Sequence, residues 1–242
     1  MEQAKQGGNE TAPEMAGYYR GAGCFSLKAA ELNELLGVGR CFDMTGRDLS
    51  IGGRQARLWV VNGYAQEDLL ERVIAGWQAL PDLNSVTDAA DFCRRYVSAC
   101  DAAAEPDRDT AVMGVFAGKT LAIIDGFGGG VVLDAKQFPT RSVEEPDTSR
   151  VLRGSHDGFV ENLMQNAALL RRRVRDTHLR LERLQLPERS GTDVALCYME
   201  GEADEGLLRA LREKLMHIQL RSVAMSQETI AEAIAPRQFW NP

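Results

Sequence analysis

A glycine-rich stretch near the middle of the chain is the pattern that most resembles a phosphate-binding loop. Residues 125–132 read DGFGGGVV and follow a predicted strand. A dinucleotide loop needs the spacing G-x-G-x-x-G and a helix directly after it, so that the pyrophosphate meets the helix N-terminus. Gly126 and Gly128 fit this spacing, but the third position is Val131 and another strand pattern follows. The stretch therefore predicts a turn between strands, without a bound cofactor.

The residue types used in metal sites and nucleophilic catalysis are scattered. Cys93 and Cys100 are seven residues apart, which on one helix would place them on the same face and favours core packing over a metal site. Acidic pairs such as Asp157 with Glu161 are expected at helix caps and on solvated faces. The histidines are far apart in the chain, at His156, His178 and His217. We therefore predict no catalytic residues, no metal and no enzymatic activity.

An arginine cluster is the most unusual local feature. Residues 169–176 read LLRRRVRD, and Arg180 and Arg183 follow. Cations at a helix C-terminus are favoured by the helix dipole, which is a purely structural explanation. Consecutive arginines point in different directions around a helix, so some are expected to reach acidic partners, and a docking role stays open. Nucleic-acid binding is an alternative that the lack of interleaved aromatic residues disfavours.

Composition and net charge disfavour several further classes of function. The chain has 242 residues and a formal net charge of -7, which disfavours nucleic acid as a general partner. Five cysteines without CxxC spacing predict a reducing compartment. The polar N-terminus does not resemble a signal peptide. No apolar run approaches the roughly 20 residues that cross a bilayer.

The hydrophobic periodicity of the first half predicts the element order α-β-α-α-β-β-β. A short helix is expected over 27–36, a buried strand over 56–61, an amphipathic helix over 69–80 and another helix over 88–100. From Ala111 to Asp134 the pattern predicts a three-strand meander, with a type II′ turn at Gly118-Lys119.

The second half predicts the order α-β-β-α-α. Its first helix is expected to include Phe159 and to be capped by Ser155 or Asp157. The fold class is therefore α/β (α+β), with two small subdomains, each a mixed sheet packed with helices. The expected divisions are a flexible arm over 1–20, an N-terminal subdomain over 21–136, an extended linker over 137–157 and a C-terminal subdomain over 158–242. In the later amphipathic helix the side chains expected to point inward are Leu207, Leu208, Leu211, Leu215 and Ile218.

Three stretches resemble one protein family. Residues 141–176, which include SHDGFVENL and LLRRRVRD, are similar to the signature region of spore-germination proteins of the germinant-receptor A-subunit family. Residues 191–204 (GTDVALCYMEGEAD) and 236–242 (PRQFWNP) resemble the same family. The resemblance is strongest from Ala111 to Pro242, weaker over 38–80 and absent before Gly17.

The resemblance implies a cytoplasmic N-terminal region of two α/β subdomains, on the spore-core side of the inner membrane. It implies a membrane region following Pro242, other membrane subunits of the germination machinery as partners, and a homo-oligomer at full length. It also implies a part in ion release and signal amplification during germination. Sensing of a nutrient or another small molecule is an alternative function for such a domain.

The family supplies no catalytic residues, so only motif positions are carried over. Phe159 is expected in the core, the glycines are expected to allow close backbone approach, and the arginines are expected to make subdomain or subunit contacts. The matching positions are Gly154, Asp157, Gly158, Phe159, Asn166, Arg171, Arg172, Arg173 and Asp193. We predict a regulatory and assembly domain whose halves move about the 137–157 linker.

Overall fold

The structure, a computed structural model, describes residues 25–137, 158–187 and 192–217. Its helices are α1 (Phe25–Leu36), α2 (Glu67–Gln78), α3 (Ala89–Tyr96), α4 (Arg108–Phe116), α5 (Leu163–Arg173) and α6 (Glu205–Met216). Its strands are β1 (Met44–Ile51), β2 (Arg54–Val61), β3 (Asp101–Glu105), β4 (Thr120–Ile124), β5 (Gly130–Asp134), β6 (Leu179–Gln185) and β7 (Asp193–Met199). The predicted α/β (α+β) class is confirmed, and all described strand pairs are antiparallel.

A five-stranded sheet with the order β1-β2-β4-β5-β3 organises the first part of the chain. All five residues of β4 are buried, as expected for a central strand whose two faces are both covered. The amphipathic helix predicted over 69–80 is confirmed as α2, whose apolar residues Leu70, Val73, Ile74 and Trp77 are buried. The Trp77 ring packs edge-on against Phe92, with ring centroids 5.2 Å apart, and so joins α2 to α3.

The predicted meander is wrong at its first strand, because residues 108–116 form α4. Asp107 caps this helix by accepting a hydrogen bond from the Thr110 backbone N–H at 2.9 Å. The buried positions Ala111, Val112, Val115 and Phe116 follow the helical period. Gly118 (φ +94°) therefore lies just after a helix and not in a hairpin turn.

Three further differences concern the edges of elements. Strands β1 and β3 were not predicted; β3 reads DAAAE, a poor strand sequence that forms through pairing with β5. Helix α3 ends at Tyr96, so Cys100 lies beyond it and does not share a helix with Cys93. Among the described helices, none is long and apolar enough to cross a membrane.

The described residues divide into two compact units. Residues up to Gly39 and from Asp43 to Thr177 form the first unit, and Arg40–Phe42 with the residues from His178 onward form the second. Helix α5 belongs to the first unit in this division, and the predicted subdomain bounds stay predictions. The arm over 1–20 and nearly all of the predicted linker lie outside the described residues, so both stay predictions.

The second unit contains the predicted elements β6, β7 and α6. Strands β6 and β7 pair from Leu179↔Met199 to Gln185↔Asp193, and the Phe42 backbone N–H donates to the Leu181 carbonyl at 3.0 Å. Leu208 and Leu215 of α6 are buried as predicted, but Leu207 is 59% exposed, which corrects its inward placement. Ile218 and the helix predicted after Ser226 lie outside the described residues.

Candidate functional site

Helix α5 begins at a side-chain cap that differs from the predicted one. Asn162 accepts hydrogen bonds from the backbone N–H groups of Met164 (2.9 Å) and Gln165 (3.1 Å), so the helix starts after Phe159. The predicted motif residue Asn166 then holds the preceding segment in place. Its side chain accepts from the Val160 N–H at 2.7 Å and donates to the Val160 carbonyl at 2.6 Å.

Arg171 points into the first unit and makes a buried ion pair. Its Nε donates to Asp43 Oδ2 at 2.9 Å and its Nη2 donates to Asp43 Oδ1 at 3.0 Å. Both side chains are 0% exposed. The guanidinium also lies 5.1 Å from the centroid of the Phe116 ring. Two parallel charge-assisted hydrogen bonds and an aromatic contact fix its orientation.

The turn after β2 also contacts α5, close to this ion pair. Tyr64 is buried and donates from its hydroxyl to the Ala168 carbonyl at 2.7 Å. Burial raises the pKa of Tyr64 above its usual range, while the nearby Arg171 opposes that shift, so the phenol stays protonated. Gly63 (φ +82°) approaches Met164, whose Cγ would be 3.3 Å from a Cβ at that position.

A buried ion pair of this kind fixes geometry more than it adds stability. Removing two charges from water costs free energy that their mutual attraction and hydrogen bonds only offset. The pair therefore favours one packing of α5 over alternatives that would leave either charge without a partner. Among the described residues, no group of three His, Cys, Asp or Glu side chains is placed to hold a metal ion.

The outer side of α5 is cationic and carries an apolar hollow. Arg172 and Arg173 are exposed at its C-terminal end. The expectation that Phe159 lies in the core is wrong: it is 68% exposed, because it precedes the helix and is not on its inner face. Together with Leu169, Leu170 and Arg173, it lines a hollow of about 150 Å³.

The remaining predicted positions are dispersed. Gly158 is half-buried beside Phe159, and Asp193 begins β7 in the second unit, 3.9 Å from the Arg183 guanidinium. Gly154 and Asp157 lie outside the described residues. The structure thus brings together Phe159, Asn166 and Arg171–Arg173, whereas Asp193 belongs to the other unit.

Sequence reasoning missed Asp43, Tyr64 and Phe116, which surround Arg171. The stretch CFDM contains a signal for one of them, because a carboxylate flanked by apolar residues needs a buried partner. The partner itself is 128 positions away along the chain, and no local pattern could have identified it.

A second concave surface lies between α1 and the β1–β2 hairpin. It is a groove of about 390 Å³ whose polar lining includes Asn33, Asp48 and Arg57. Arg57 donates from Nε to Asn33 Oδ1 at 3.2 Å and from Nη1 to Asp48 Oδ1 at 2.6 Å. The remaining lining is largely apolar and includes Phe25 and Leu49.

The amino-acid sequence matches the family model described as Bacillus/Clostridium GerA spore germination protein over residues 30–242. The chain belongs to this family. It is 32% identical over 208 residues to stage V sporulation protein AF of Bacillus subtilis, covering 86% of this chain and 42% of that protein. It is 35% identical over 125 residues to spore germination protein XA of Bacillus anthracis, covering 52% of this chain and 25% of that protein.

A solved structure has the same fold. The crystal structure of the N-terminal domain of the A subunit of the Bacillus megaterium spore germinant receptor GerK3 matches with a TM-score of 0.64 and 18% identity, covering 88% of this chain and 80% of that one. The resemblance to stage V sporulation protein AF, which residues 171–176 and 240–242 predict within the family, is confirmed. The chain spans about two fifths of that relative's length.

Proposed function

We propose that the chain is the cytoplasmic regulatory and assembly domain of a spore inner-membrane protein that contributes to ion release and signal amplification in germination. Membership of the GerA family and the likeness to a stage V sporulation protein support the process. The fold shared with a germinant-receptor N-terminal domain supports its position in a larger membrane protein. No step of this function requires a catalytic residue or a cofactor.

The single observation that carries this function is that one side of α5 is held in the first unit while another side is exposed. Arg171 binds Asp43 inside the first unit, whereas Arg172 and Arg173 are exposed beside Phe159. The buried ion pair holds the helix in one position, so the surface exposed on its other side is rigid. A rigid exposed surface is suited to repeated, specific contacts in an assembly. We assign the inner side of α5 to positioning and its outer side to subunit contacts.

The chain path suggests how a signal would reach α5. The chain passes between the units at Gly39-Arg40, Phe42-Asp43 and Thr177-His178. Asp43 lies at one of these connections, and Arg171 lies six residues before another. A force on the second unit would therefore reach both partners of the ion pair through the backbone. The predicted movement about the 137–157 linker stays a separate proposal.

Deletion of the gene in the spore-forming host tests the proposed function. Cation release after nutrient addition should slow but persist, because an amplifying protein acts on a signal that begins elsewhere. Loss of the response to one nutrient would instead identify a nutrient-receptor A subunit. Unchanged release, in a strain whose parent contains the protein in its spores, would contradict the proposal.

The groove beside α1 favours a second candidate function, the sensing of a nutrient or another small molecule. Its volume of about 390 Å³ lies within the range of roughly 300–1,000 Å³ that is typical of ligand sites. A thermal-shift screen of amino acids, sugars and nucleotides tests this function. Saturation at about 100 times the dissociation constant adds about 2.7 kcal/mol of stability. A true ligand of the groove should lose this effect when Asp48 is replaced by Asn or Arg57 by Met.

A further inference from the structure

We propose that the hollow beside Phe159 binds the start of α6 of a second copy of this chain. This inference rests on the proposed function as an assembly domain and names the two surfaces that meet. The docking surface consists of Phe159, Leu169, Leu170 and the arginines of 172–175. The complementary surface, which we call the acidic knob, consists of Glu202, Asp204, Glu205 and Leu207.

The size of the hollow indicates what kind of group fills it. Its volume of about 150 Å³ is below the roughly 300–1,000 Å³ of small-molecule sites. Its lining combines Phe159 and two leucines with the Arg173 side chain. Aromatic and arginine side chains around a small pocket are typical of the energetic centre of a protein interface. A hollow of this size and polarity fits one apolar side chain.

The exposed position of Phe159 is built into the local structure. Asn166 holds Val160 by two hydrogen bonds, and Asn162 caps the first turn of α5. The segment that carries Phe159 is therefore fixed at its following residue before any partner binds. Binding to a preformed hollow loses less conformational entropy than binding to a hollow that must first form.

The charge around the hollow selects an acidic partner. Arg172, Arg173 and Arg175 are all exposed, and the charge of Arg171 is directed inward to Asp43. The whole chain has a formal net charge of -7, so a second copy carries more acidic than basic groups that could meet this cationic surface. A second copy is therefore attracted to it through its own acidic surfaces.

The acidic knob supplies both required features. Leu207 is the second most exposed of the large apolar side chains that are described, at 59%, after Phe159 itself. Glu202, Asp204 and Glu205 are exposed and precede it within five residues. Asp204 caps α6 by accepting from the Leu207 N–H at 2.6 Å, which fixes the leucine relative to the carboxylates. One apolar side chain flanked by three carboxylates matches the hollow and its arginines.

The two surfaces are different, so the contact is heterologous. Each copy would use its hollow for one neighbour and its acidic knob for another. Such contacts build either a closed ring or an open chain. This arrangement makes a specific prediction for mixtures of variants, because two chains with opposite defects can still form one intact contact.

Sedimentation equilibrium of the purified chain, at concentrations up to about 1 mM, tests the proposal. Wild-type chain should associate reversibly, and salt should weaken the association because the contact pairs opposite charges. Phe159→Ala, Leu207→Ala, the pair Arg172→Glu with Arg173→Glu, and the pair Glu202→Lys with Glu205→Lys should each weaken it at least tenfold. Controls are Arg72→Glu and Glu71→Lys, which change exposed charges on α2 and should leave association unchanged.

Mixing gives the decisive result. Chains with Phe159→Ala keep an intact acidic knob, and chains with Leu207→Ala keep an intact hollow, whereas the two truncated surfaces do not fit each other. Each should be monomeric alone, and an equimolar mixture should form a dimer and nothing larger. Circular dichroism melts that match the wild type show that the substitutions leave the fold intact.

Several outcomes would overturn the proposal. These are a monomeric wild type at 1 mM, association that the variants do not weaken, and a mixture that stays monomeric. Binding of Phe159 to anionic vesicles, or to an acidic segment of another protein, without self-association would assign the surface to that partner instead. Cation release in the deletion strain does not depend on how the purified chain associates. That experiment therefore tests the proposed function separately from this proposal.

Discussion

Replacing Arg171 by Met gives the sharpest prediction about the first unit. Met keeps much of the volume and the apolar stem of the side chain but removes the guanidinium. Asp43 is 0% exposed, so its carboxylate would lose its two charge-assisted hydrogen bonds and stay out of water. Breaking a buried pair by removing one partner costs about 3–5 kcal/mol. For a chain of 242 residues, this corresponds to a fall in Tm of roughly 6–20 °C.

Urea unfolding followed by tryptophan fluorescence, with Trp240 replaced by Phe in every variant, measures this loss in the unit where it occurs. Trp59 and Trp77 are both buried in the first unit and report its unfolding. The matched control is Arg72→Met on the exposed side of α2, where a change within about 0.5 kcal/mol is expected. Asp43→Leu combined with Arg171→Met should cost much less than the sum of the single changes, because no buried charge is left without a partner. An Arg171→Met variant as stable as the Arg72 control would refute the reasoning.

Four further predictions concern caps, the docking surface and the thiols. Asp107→Ala should cost about 1 kcal/mol in urea unfolding through loss of the α4 cap, and Asp109→Ala, in the exposed first turn of the same helix, should cost less. Asn166→Leu should speed amide hydrogen exchange over 158–162 relative to exchange within α5, and unchanged exchange would argue against its bridging role. Burial raises the pKa of Cys93 to about 11, so iodoacetamide at pH 9 should label the exposed Cys197 faster than Cys93, and equal rates would contradict this. The same shift, from an ordinary value of 9.0, predicts that folding stability falls as pH rises from 9 to 11, because the unfolded thiol ionises first.

Elements with a clear hydrophobic period could be predicted from the sequence. Helix α2 repeats apolar residues at helical spacing, and β4 is a short apolar run bounded by turn residues. Their burial is decided by their own composition, which is why these predictions were confirmed. The GerA family could also be predicted, because residues 141–176 and 191–204 carry recognisable motifs.

Other elements depend on tertiary context that a local pattern does not contain. The valines of α4 favour a strand by intrinsic propensity, and the Asp107 cap with helical burial decides otherwise. Strand β3 has a weak strand sequence and forms on the edge beside β5. The exposure of Phe159 follows from the start of α5 at Leu163, and the Arg171–Asp43 pair joins residues that are far apart in the chain.

Cation release from spores carrying the Arg171→Met protein tests the role of α5 most directly. Full-length wild-type, Arg171→Met and Arg72→Met genes would each be returned to the deletion strain, with protein amounts in spores matched by immunoblot. An ion-selective electrode would follow release after nutrient addition. We expect Arg72→Met spores to release cations at the wild-type rate and Arg171→Met spores to be as slow as the deletion strain. Release at the wild-type rate in Arg171→Met spores, at matched protein amounts, would contradict a regulatory role for this domain through α5.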